Sequence, residues 1–139
     1  MMRNAEAIFA PGDRSVFDAL RFSPAVRAGP FIFISGVIGT REGRKPFDDI
    51  TSEFVSAFDT IVALLGAAGA TLADIVAFDT FHVTDNLLND LYKFNEVRER
   101  YMTAPHPAWT AIGVASLARP GAHAEIRVTA YTGPAATHG

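Results

Sequence analysis

The chain contains no cysteine, so a disulfide framework, a thiolate metal site and a cysteine nucleophile are all excluded. Charge is sparse: 19% of the 139 residues are charged against 49% hydrophobic, a balance that suits one packed domain and not a disordered polyelectrolyte. Positive charge is not in excess either. A formal net charge of −3 without a clustered basic stripe argues against a nucleic-acid binder, which needs a basic surface for phosphates. The first twenty residues include Glu6, Asp13 and Asp18 and no apolar run of signal length, and nothing reads as a membrane span, so a cytoplasmic protein with no membrane partner is expected. No nucleophile-elbow motif occurs, and Gly36-Val-Ile-Gly39 lacks the glycine and lysine spacing of a nucleotide loop. His82, His106, His123 and His138 show no ligand spacing, so no metal site is expected.

What is present is a sheet-forming sequence, with 11 phenylalanines. Phe31 to Ser35 reads as a strand with two apolar faces. Gly29-Pro30 supplies a turn through which Ser23 to Arg27 pairs with it as a hairpin. Phe54, Phe58, Ile61 and Leu65 form the stripe of an amphipathic helix within residues 50–68, which stops near Gly66 and Gly69. Ile75 to Val83 is a second long strand, followed by the N-cap candidates Thr84, Asp85 and Asn86. Leu87, Leu91, Phe94, Val97 and Tyr101 continue at helical spacing until Pro105 and Pro107 end the helix. Ala108 to Val114 is a short strand, and Ala124 to Tyr131 alternates as a half-buried one.

Two helices cover one sheet face. The other face keeps apolar side chains and requires burial by further copies of the chain; the pattern implies oligomerisation but does not set the copy number.

The ordered set Phe22-Ser-Pro-Ala-Val-Arg-Ala-Gly29, Phe31-Ile-Phe-Ile-Ser-Gly36, Gly66-Ala-Ala-Gly69 with Leu72-Ala-Asp-Ile-Val76, Asp85 with Phe94-Asn95 and Tyr101, Pro107-Ala108, and Ala124-Glu125-Ile126 resembles the Rid/YjgF family over about residues 22–131. The resemblance implies an α+β, chorismate-mutase-like single domain over 1–139, with its core at about 16–132 and a loose tail at 133–139. It implies a mixed sheet with two helices on one face, closed into a homotrimeric barrel with a small-metabolite cleft between subunits. The family's archetypal activity is hydrolysis of 2-imino or 2-enamino acids to 2-keto acids and ammonia, with no cofactor.

Where archetypal members carry Pro-Ala-Arg, whose arginine grips the substrate carboxylate, this chain has Pro107-Ala108-Trp109. Indole offers one neutral donor and no charge. Weak or absent turnover of 2-aminoacrylate follows as an expectation. Phe22 stands where a tyrosine is common. The resemblance assigns Glu125 to positioning or deprotonating water, although an alternating strand equally accounts for it as a solvated residue. It places Ser35, Asn95 and Trp109 in the cleft, with backbone groups around Ala111 contacting ligand. As a sequence pattern alone, Ser35 is a turn former, Asn95 a helix-surface amide and Trp109 a core residue. His106 reads as a loop residue or an acid–base candidate. Two functions stay open: a deaminase of an imine or enamine larger than aminoacrylate, and a non-catalytic small-metabolite-binding or regulatory trimer. The older endoribonuclease or translation-inhibitor label for the family fits the charge least well.

Overall fold

The computed structural model describes residues 4–134. Most of the expected tail, together with His138, lies outside them. The chain runs β1 (Glu6–Ile8), α1 (Ser15–Leu20), β2 (Ala25–Ala28), β3 (Phe31–Val37), α2 (Ile50–Ala67), β4 (Ile75–His82), α3 (Leu87–Arg98), β5 (Ala108–Gly113) and β6 (Ala124–Tyr131), with single 3-10 turns at Glu42–Arg44 and Leu72–Asp74. The six strands form one sheet in the order β1-β2-β3-β6-β4-β5. Only the β4–β5 pair is parallel, and α3 is the crossover that a parallel pair needs.

Local chemistry accounts for the elements. The Asp49 side chain accepts from Ser52 N at 3.0 Å to start α2, and Asn86 accepts from Asn89 N at 3.2 Å to start α3. Gly29, with φ +58, makes the β2–β3 turn. In β6 the even residues Ala124, Ile126, Val128 and Ala130 are buried beneath the helices, alongside Ile32 and Ile34 of β3 and Phe78 of β4. Phe54, Ile61 and Leu65 of α2 and Phe94 and Val97 of α3 close this core from above. Phe94 alone meets Phe54, Phe58, Phe78 and Trp109 at ring separations of 5.1–5.6 Å.

The two long helices, the hairpin and the four long strands follow the sequence pattern, and the fold is the expected α+β mixed sheet. The pattern gave no sign of β1 or α1. β1 has three residues, too few to show alternation, and α1 buries none of its own. α2 corrects the expectation that nothing reads as a membrane span: by length and composition it meets that criterion. Its buried residues, among them Phe54, Phe58, Ile61 and Leu65, nevertheless lie against the sheet as the stripe of a core helix.

Among the described residues, neither α2 nor α3 covers the sheet's other face. Phe31 and Phe33 are 40% and 47% exposed there, although Ile32 and Ile34, which alternate with them, are fully buried. Phe31 lies 6.1 Å from Phe33 and 5.3 Å from Tyr131 between ring centres. Arg127 grips Asp79 at 2.8 and 3.1 Å on the same face.

Candidate active site

Glu125 lies on β6, a central strand, opposite Phe81 of β4 and on the open face of the sheet. Its other neighbour, β3, is bulged: the register shifts between Ile34 and Val37, so Ser35 and Gly36 are the irregular residues. A Cβ at position 36 would stand 2.5 Å from Glu125 Cδ and 2.6 Å from Oε1, so the carboxylate occupies space that only glycine leaves open. Ser35 is anchored beside it. Its amide donates to Pro24 O at 2.9 Å and its hydroxyl to Ser23 O at 2.6 Å, which leaves the hydroxyl oxygen's lone pairs available.

These residues share a cleft of about 400 Å³ with Phe22 and with Phe17 and Leu20 of α1. Phe22 is 39% exposed and meets Phe17 edge-on at 5.0 Å. The apolar wall therefore comes from α1, which begins where the Asp13 carboxylate accepts from the amide and hydroxyl of Ser15 at 2.9 and 2.8 Å. Arg21 ends it in the left-handed region at φ +60 and turns the chain toward Phe22. Burial pushes the Glu125 carboxyl above its ordinary range. A carboxyl group so placed, with a hydroxyl and an apolar wall beside it, has the chemistry to hold a water molecule and exchange a proton with it.

The structure thus brings together Phe22, Ser35 and Glu125. It does not bring Asn95, Trp109 or Ala111 to them within one chain. Trp109 pairs in register with Phe78, on the helix-covered face. Its indole lies 5.6 Å from the Phe78 ring and 5.1 Å from Phe94, with the Arg98 guanidinium 5.6 Å from its own ring centre. Nε1 donates to Thr80 Oγ1 at 2.9 Å. This is the packing role a lone tryptophan on a strand takes when its N–H finds a partner. Ala111 pairs with Thr80 on the same face. β5 is the outermost strand, so one edge of its backbone has no strand partner among the described residues. The Asn95 Oδ1 is buried on α3 with no hydrogen-bond partner among the described residues.

Two buried polar centres escaped the sequence reading. Glu53 is 1% exposed, and its carboxylate accepts from Ala124 N at 2.7 Å, from His123 N at 2.8 and 3.1 Å, and faces His123 Nδ1 at 2.9 Å. It ties α2 to the start of β6, the strand that carries Glu125. The available signal was a carboxylate set among the core-facing positions of α2, next to Phe54 and one helical turn before Ala57. His82 is fully buried on β4, with Nε2 2.8 Å from Thr80 Oγ1. The Thr80 hydroxyl, which accepts the indole N–H, thus links Trp109 to the imidazole, whose second nitrogen is Nδ1. That nitrogen lies 3.9 Å from Asp90 Oδ2, beyond hydrogen-bond reach. Burial lowers the His82 pKa, and the Asp90 charge opposes the shift.

A larger hollow of about 720 Å³ lies between the N-terminal segment and α2, beside Phe9, Asp13, Arg14, Asp59 and Arg100, and includes none of the expected site residues. Among the described residues no group of histidine and carboxylate side chains is arranged to hold a metal ion. His106 is exposed in the loop before β5.

A sheet of this order, with two long helices on one face and a carboxylate beside a bulge on the other, defines a class that sequence comparison identifies. A family model described as Endoribonuclease L-PSP matches residues 15–132, and the chain belongs to that family, also called Rid, YjgF or RutC. Among curated relatives, it is 38% identical over 125 residues to the RutC family protein YjgH of Escherichia coli (strain K12), covering 89% of this chain and 92% of that one. A solved structure of protein YjgH superposes with a TM-score of 0.82 at 35% identity, over 96% of this chain and 100% of that one. The 2-iminobutanoate/2-iminopropanoate deaminase of Dermatophagoides farinae is 32% identical over 98 residues, covering 69% of this chain and 74% of that one.

Proposed function

We propose that the protein is a hydrolytic deaminase of an imine or enamine metabolite, acting in the cleft beside Glu125. The observation that carries this reading is the half-buried Glu125 carboxyl, raised above its ordinary pKa and set next to Gly36, Ser35 and Phe22. Water held by Glu125 adds to the C=N carbon while the carboxylate takes its proton; the C=N π pair moves to nitrogen, which takes that proton back from the Glu125 carboxyl. The resulting carbinolamine then releases ammonia and leaves a carbonyl. No metal or cofactor takes part. The 2-imino acid deaminase among the relatives supports the reaction type. The absence of arginine at position 109 separates this chain from the archetypal 2-aminoacrylate activity.

The working form is a homotrimer. Phe31, Phe33 and Ile112 on the open face are large apolar side chains that further copies of the chain would cover. In such an assembly β5, with Trp109 and Ala111, borders a neighbour's Glu125 cleft. Light scattering on dilute protein tests the trimer, and a stable monomer overturns it. Activity is tested by generating imines from a panel of amino acids with an amino-acid oxidase and following their decay and ammonia release. The second reading, a trimer that binds a small metabolite without turning it over, is favoured by the neutral Trp109; it stands if ligands bind and none in the panel is hydrolysed.

A further inference from the structure

The cleft that holds Glu125 also contains two guanidinium groups, from Arg44 and Arg119, that come from outside the strand where relatives carry their arginine. They are not equivalent. Arg44 has a counter-charge, its Nη2 lying 3.9 Å from Asp13 Oδ2. Arg119 is half-buried in the loop before β6, and among the described residues no carboxylate lies within 4.0 Å of it. Its Nη1 donates to the Arg44 carbonyl at 2.8 Å, which fixes the plane of the guanidinium. The Nε and Nη2 edge remains available. That edge matches a carboxylate through two parallel hydrogen bonds, and a fork already held in place loses little entropy in making them.

The rest of the cleft sets what is attached to that carboxylate. Phe17, Leu20 and Phe22 offer apolar and aromatic surface, and Leu20 and Phe22 are 65% and 39% exposed, so a ligand body of similar chemistry covers them. We propose that Arg119 is the carboxylate anchor of this cleft, and that its ligands are 2-imino or 2-oxo carboxylates with a bulky apolar or aromatic side chain packed against Phe17, Leu20 and Phe22. A two- or three-carbon imino acid would leave that wall bare. The inference rests on the Glu125 cleft being the ligand site, but it does not require hydrolysis there.

The experiment is calorimetric titration of the full chain with phenylpyruvate, an aromatic 2-oxo acid, and with its methyl ester, which keeps the body and removes the charge. The wild type should bind the acid at least ~10-fold more tightly than the ester. Arg119→Gln should erase that preference and leave ester affinity unchanged, and Arg119→Lys should keep part of it. Raising ionic strength should weaken only the acid, a test that needs no variant and stands even if Arg119→Gln folds poorly. Equal affinity for acid and ester, no binding of either at millimolar concentration, or a preference that survives in folded Arg119→Gln overturns the proposal. An Arg119-dependent preference with no turnover of any aromatic imino acid would leave the anchor standing and overturn the deaminase reading. Turnover indifferent to Arg119 would do the reverse.

Discussion

Glu53 and Glu125 are carboxylates on opposite sides of the same strand, and they are used in opposite ways. Glu53, under the helices, is almost inaccessible and has every donor around it directed at its two oxygens. Glu125, on the open face, is half-buried and has no protein donor within hydrogen-bond reach among the described residues. Burial is costly for a charge only when nothing compensates it. Glu53 is compensated and is part of the scaffold. Glu125 is not, and burial leaves its carboxyl with a pKa above the ordinary range.

The contrast predicts a division of effects. Glu53→Ala strands two backbone amides and an imidazole, and should lower stability by about 3–5 kcal/mol in urea denaturation. A loss below about 1 kcal/mol would show that water replaces the carboxylate and that the scaffold role is overstated. Glu125→Gln should leave the melting temperature and assembly unchanged while lowering ammonia release by about 10²–10⁴-fold. Full turnover in that variant would remove Glu125 from the mechanism. In the wild type the basic form of Glu125 should set an acid limb in kcat/KM displaced above the ordinary carboxylate range, and Glu125→Gln should lack it.

Gly36→Ala sharpens the comparison by moving the carboxylate without deleting it. The added methyl displaces the Glu125 side chain, so turnover should fall by up to about 100-fold with little change in stability. Trp109→Phe should do the reverse. It removes the hydrogen bond to Thr80 and should cost about 1–2 kcal/mol of stability, read from thermal and urea melts. A large effect on ligand affinity with none on stability would mean that the indole faces ligand and not the core. The smallest effect belongs to His82. Its pKa lies below 6.5 in the folded protein, so the unfolded chain takes up a proton that the folded one refuses as pH falls through 6.5. Stability should therefore fall on the acid side of 6.5 and level off below the folded pKa, and His82→Gln should flatten that slope.

The long elements were legible because their periodicity spans many residues. Phe54 to Leu65 marks a helix stripe, and Ala124 to Tyr131 alternates over its whole length. The open face was legible in the same way, from Phe31 and Phe33 flanking Ile32. The site was legible only in part. Glu125, Ser35 and Phe22 belong to segments whose order is distinctive, whereas the direction of Trp109 depends on a parallel pairing between β4 and β5 that no local pattern encodes. Glu53 and His82 were missed because a single polar residue in an apolar stripe does not disturb the pattern; its partners come from strands far along the chain. α1 was missed because six residues with none buried carry no signal of burial.

That helix also bears on how the protein changes over generations. α1 supplies Phe17 and Leu20 to the cleft and none of its residues to the core. Substitutions there alter the shape and greasiness of the ligand wall while leaving the foundations of the sheet untouched, so they face little selection against misfolding. Glu125 and Gly36 lie on β6 and β3, outside this helix, so substitutions in α1 leave them in place. Under the proposed function, a lineage can therefore explore new side chains on its ligand by rewriting one exposed turn and a half of helix, with Glu125 held constant.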